Sequence, residues 1–235
     1  MTTIGIPQAT AAAAPAPATV RGRTRLQDNL LICGILAAFA YVVTDVLGAL
    51  RYPGYNFTSQ GVSELMAVGA PTKDLVNSIF VVYGALAVAF AVGVLRESSG
   101  QAKLRVTGFL LLAYALAGLL GSFFPAYPRG SGGFNDSLPH IILTAVLVVL
   151  MLGAVGFGAF SLGTRFRIYS LATLATIVAL GVAAGVYGSR LAARQPTPGF
   201  GIVERALIYA FLVWAAVLGV ALVRRRGARA ARAVE

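Results

Sequence analysis

Histidine and cysteine each occur once in this chain of 235 residues, as His140 and Cys33. A lone histidine excludes a three-histidine zinc hydrolase site. A lone cysteine excludes an intrachain disulfide and a thiolate metal cluster. Cys33 lies in an apolar run and reads as a small helix-core residue. A metal held by His140 with Asp45, Glu64 or Asp136 is a weak pattern, and neither a metal nor a cofactor is expected. No glycine-rich phosphate loop is present. Ser63 or Ser122 as a nucleophile would depend on the same His140, and neither sits in a G-x-S-x-G elbow. Charge is scarce as well. Only 11% of residues are charged, against about a quarter in soluble domains.

What the chain has instead is apolar length. Hydrophobic residues make up 58% of it, and its mean hydropathy is +0.81. A soluble fold of this size leaves roughly 30% of its unfolded surface in water, so lipid is the better solvent. Six apolar runs stand out, at Leu30–Leu50, Leu75–Leu95, Val106–Phe124, Ile141–Leu162, Ile168–Ser189 and Ala206–Val223. Each is about the length that crosses a bilayer core. Backbone polar groups in lipid must pair internally, and runs of this length do so as helices. The expected fold is all-α, a polytopic six-helix transmembrane bundle. The first run is too long for a cleaved signal peptide, and no A-x-A site closes it, so a retained signal anchor is expected.

The formal charge of +11 would suggest nucleic acid in a soluble protein. Here the basic residues flank the spans, so topology explains them and no nucleic-acid partner is expected. With the N-terminus inside, thirteen basic residues fall on the inner side and six on the outer. The outer six are Arg51, Lys73, Arg129, Arg190, Arg194 and Arg205. The positive-inside rule then puts both termini in the cytoplasm of a cell-membrane protein. Residues 1–25, rich in alanine and proline at their start, read as a disordered tail. Residues 26–226 form the membrane domain, and 227–235 a basic tail drawn to anionic lipid.

Glycine is frequent within the spans, and Gly181 with Gly185 matches G-x-x-x-G. Close packing inside the bundle is the plainer use of such positions; a homo-oligomer face is the other. The loop aromatics Tyr52, Tyr55, Phe57, Tyr127, Phe134 and Phe200 suit an interfacial belt.

Ionisable residues gather at the expected outer side: Asp45, Arg51, Glu64, Asp136, His140, Glu204 and Arg205. Asp45 is the most informative. It lies about 8 Å of helix from the end of its apolar run, and an intramembrane carboxylate faces a partner, water or a ligand. Arg205 and Arg51 are its candidate ion partners. Asp136 and His140 are four apart, as an acid–base pair or as an N-cap with an interfacial histidine. Glu204 in the first turn of the last span is stabilised by the helix dipole. Residues 59–65 read as a short interfacial helix that Ser59 can cap. Asn56-Phe57-Thr58 and Asn135-Asp136-Ser137 match the glycosylation pattern by chance.

The stretch from Tyr52 to Leu65, with Ser63-Glu64-Leu65 its most specific part, resembles the domain-of-unknown-function 998 family. Gly121-Ser122-Phe123-Phe124-Pro125, His140, and Gly201-Ile202-Val203-Glu204-Arg205 with Trp214 agree with it. Many relatives carry an acidic residue soon after the Phe-Pro pair, where this chain has Ala126-Tyr127. That acidic role falls to Asp136 or is absent. The resemblance implies a prokaryotic multi-span membrane protein and assigns no activity.

The first functional expectation is an outward-facing polar pocket that binds or helps move a lipid headgroup or small solute. Its candidate residues are Asp45, Arg51, Ser63, Glu64, His140, Glu204 and Arg205, with membrane lipids as partners. The alternatives are a membrane-embedded enzyme acting on a lipid-type substrate at the outer interface, with Glu64 or Asp45 and His140 as acid and base, and a non-catalytic scaffold. Enzyme activity is less favoured than binding or transport.

Overall fold

The computed structural model describes residues 18–127, 134–193 and 195–232. Six helices follow in order: α1 (Ala18–Arg51), α2 (Lys73–Glu97), α3 (Ala102–Leu119), α4 (Phe134–Gly158), α5 (Thr164–Ala192) and α6 (Phe200–Arg232). Two 3-10 turns punctuate them, at Val62–Met66 and Leu120–Phe123. Among the described residues there is no strand. All six helices are long and apolar enough to cross a membrane.

The helices overrun the apolar runs where polar residues can reach water. α1 begins at Ala18, inside the stretch read as a tail, and α6 continues to Arg232 beyond its apolar part. At 33 residues, α6 is roughly 50 Å long, against a hydrocarbon core of about 30 Å. Residues 1–17 of the expected tail lie outside the described residues.

Each helix packs against the next in sequence, and α6 closes the ring against α1. α6 is the most buried span and α5 the least. The ring has two ends. The loop end carries the long α1–α2 connection and the 193–199 segment. The terminal end carries the start of α1, the end of α6 and the short α2–α3 and α4–α5 turns.

Dry packing fills the middle. Trp214 is fully buried, stacks on Phe211 at 6.0 Å between centroids, and donates its indole N–H to Ser170 Oγ at 2.9 Å. A side chain at Gly158 would meet the Trp214 ring at 2.5 Å, so only glycine lets α4 approach so closely. Gly93 and Gly219 hold α2 and α6 against the backbone of Leu31 and its neighbour Leu30 in the same way. The glycines of α5 behave differently. Gly185 and Gly188 have nothing within 4 Å of a would-be Cβ, so packing inside the bundle does not account for them.

Candidate functional site

Asp45 and Arg205 meet inside the loop end. Arg205 Nε and Nη2 donate to the two Asp45 oxygens at 2.8 Å each, a bidentate pair. The side chains are 0% and 3% exposed. The sequence joins them for a simple reason. Asp45 stands one turn beyond Tyr41 on α1, and Arg205 one turn before Tyr209 on α6, so each projects at the same depth from adjoining helices. Tyr209 completes the carboxylate by donating its hydroxyl to Asp45 Oδ2 at 2.5 Å.

The rest of the guanidinium holds the α1–α2 loop. Arg205 Nη1 donates to the carbonyls of Phe57 (2.9 Å), Gln60 (2.8 Å) and Gly201 (3.0 Å). Nη2 donates to the Tyr55 hydroxyl at 2.6 Å. Tyr55 in turn donates toward the Gly61 carbonyl at 2.7 Å. The Phe57 ring lies 3.7 Å from the guanidinium carbon, a cation–π contact. Burial pushes the Tyr55 hydroxyl up to about 12, with the adjacent guanidinium pulling it the other way. All five N–H groups of Arg205 therefore have acceptors. An unpaired charge here would be costly, and none is left unpaired.

The loop is shaped to reach this guanidinium. Asn56 Oδ1 accepts from the N–H of Thr58 (3.0 Å) and of Ser59 (3.2 Å), folding the chain back as an Asx turn. Gly201 sits where a Cβ would overlap the Gln60 and Phe57 carbonyl oxygens. Thr197 donates to the Ser59 carbonyl at 3.2 Å and the Ile202 N–H to that of Thr58 at 3.3 Å. The short helix expected over 59–65 is a 3-10 turn that starts later, with Gly61 at its N-cap rather than Ser59. Glu64 itself reaches back, accepting the Gly61 N–H at 2.9 Å and the Gln60 amide at 3.0 Å.

Glu204 is half-buried and differs from its neighbours. Its Oε2 accepts the Val62 N–H at 2.9 Å. Its Oε1 accepts no hydrogen bond from the described residues. Gly61 lies directly against Glu204 and Phe200. The loop end thus places Asp45, Glu64 and Glu204 around one buried guanidinium.

Other candidates stand apart. Arg51 is exposed, and Arg205 holds the partnership with Asp45. Ser63 is half-buried in the 3-10 turn. His140 Nδ1 faces the Phe124 carbonyl at 2.9 Å and shares no hydrogen bond with a carboxylate among the described residues. The Asp136 side chain lies outside the described residues, as does Arg194. Among the described residues no three His, Cys, Asp or Glu side chains gather as a metal-binding set. Tyr55, Tyr209 and Phe57 join the candidate site although the sequence does not single them out. The i, i+4 spacing of Arg205 and Tyr209 is the available signal; Tyr55 and Phe57 read as belt aromatics.

The terminal end has its own polar set. Arg226 pairs with Asp28 at 2.8 Å and Glu97 at 2.9 Å, and Arg229 with Glu97 at 3.2 Å. The buried amide of Gln27 donates to the Gly93 carbonyl at 2.7 Å.

Six apolar helices closed into a ring, with a buried ion pair joining first to last, define a multi-pass helical membrane protein. The chain belongs to the family described as "Protein of unknown function (DUF998)", which it matches over residues 35–221. Comparison with curated proteins and with solved structures gives no match. The family match spans the Asp45–Arg205 pair and every described candidate above.

Proposed function

We propose that this chain is a cell-membrane protein, both termini cytoplasmic, that binds or helps move a lipid headgroup or small solute at its loop end. The group recognised is cationic. The observation that carries this reading is the Glu204 carboxylate, half-buried with Oε1 carrying no hydrogen bond from the described residues. It sits beside Phe200, a ring that favours an ammonium group. Arg205 is unsuited to an anion, since Asp45, Tyr55 and three carbonyls take all its donors. In this reading the Asp45–Arg205 pair pins the loop, and Glu204 receives the ligand's charge. The orientation is supported by the excess of basic residues on the terminal end.

Choline is the probe. Calorimetric titration of the purified protein should show saturable binding. Glu204→Gln keeps an acceptor for the Val62 N–H and should weaken choline about tenfold, the worth of one charge-assisted contact. Unchanged affinity in that variant, or no binding by the wild type, overturns the reading.

A further inference from the structure

At the terminal end a groove of about 500 Å³ opens between the start of α5 and the end of α6. Its floor is apolar, built from Leu162, Phe166 and Ala221, and its rim carries Arg165 and Arg225. No acidic side chain lines it. The two arginines are available in a way their neighbours are not. Arg226 and Arg229 are neutralised by Glu97 and Asp28. Arg165 is exposed and makes no hydrogen bond or ion pair with the described residues. Among the described residues Arg225 uses only Nη1, toward Gln101 Oε1 at 2.7 Å. That bond holds the guanidinium in place and leaves Nε and Nη2 to a ligand. Lys103 and Arg167 flank the Phe160 ring at 5.0 and 5.2 Å, adding positive charge beside the groove.

We infer that this groove binds the phosphate headgroup of an anionic membrane phospholipid. Arginine forks match phosphate oxygens geometrically, and the volume falls in the range of small-ligand sites. The place selects a lipid over soluble phosphate. The groove lies where α4 ends and α5 begins, at the boundary of two spans. The neighbouring parts of α4 and α5 expose apolar side chains, Phe157 at 49% and Ile168 at 64%, as lipid-facing spans do.

The test uses full-length protein reconstituted in vesicles of equal parts phosphatidylglycerol and digalactosyldiacylglycerol, a neutral lipid with no ammonium group for the loop end, then native mass spectrometry of the lipids retained after gentle extraction. The wild type should be enriched in phosphatidylglycerol. Arg165→Gln breaks no bond among the described residues and should lower that enrichment about fivefold; adding Arg225→Gln should lower it about fivefold again, the effect of one juxtamembrane charge each. Arg165→Gln alone carries the test if the double variant fails to fold. Equal retention of both lipids by the wild type, or undiminished phosphatidylglycerol in Arg165→Gln, overturns the inference.

Discussion

Both ends of this bundle tie α6 to α1 through an arginine and an aspartate, but at different depths. At the loop end Arg205 and Asp45 are 3% and 0% exposed; at the terminal end Arg226 and Asp28 are 23% and 39% exposed. The difference teaches what each contact is for. A half-exposed pair is screened by water and adds little. A buried pair adds little net stability over an apolar pair of the same shape, yet losing one partner strands a charge. The terminal end shares its charges among Asp28, Glu97, Arg226 and Arg229, so Glu97 has a second partner when one is lost. The loop end is held by one guanidinium that cannot be released in part.

The largest expected effect comes from exchanging arginine for methionine at each end. Arg205→Met should cost about 3–5 kcal/mol, and Arg226→Met clearly less, because Arg229 stays on the buried Glu97 carboxylate, measured by reversible unfolding in mixed detergent. Equal costs would break the comparison. Adding Asp45→Leu to Arg205→Met should restore only part of the loss, because the Phe57 and Gln60 carbonyls stay without their donor.

A smaller effect separates two glycines. Gly201→Ala forces the loop carbonyls away and should cost about 1–3 kcal/mol. Gly185→Ala, at a position with open space beyond it, should be neutral or mildly stabilising through helix propensity. The same unfolding assay compares them.

The smallest effect is alkaline. The Tyr55 hydroxyl is held up to about 12, above its ordinary 10.0. The unfolded chain therefore loses this proton first. The stabilisation from keeping Tyr55 neutral is complete below pH 10 and disappears as pH rises through 12. Tyr55→Phe should flatten that limb of the unfolding profile; an unchanged limb would show that the hydroxyl is not the group responsible.

The six spans were legible because apolar length alone decides them. Helix ends were not, since α1 and α6 continue as helix through polar residues such as Arg25 and Arg226. Asp45 announced itself as a carboxylate within an apolar run, and Arg205 was among its expected partners. The sealing of their pair was not legible. It depends on Tyr55, Phe57 and Gln60, whose roles arise from a loop folding back over α6, a contact between positions about 150 residues apart. The terminal-end pairs were missed for the opposite reason. Membrane orientation accounts for the basic residues there, and nothing in the sequence ties Glu97 or Asp28 to them.

The residues of the loop-end pair are separated by 160 positions, and they sit on the first and last spans to be made. During synthesis Asp45 enters the bilayer long before its guanidinium exists. An intramembrane carboxylate with no partner is costly and turns toward water. Only when α6 follows does the guanidinium reach it, holding the α1–α2 loop at the same time. A chain that lacks α6 therefore keeps an unpaired polar group in its α1 span.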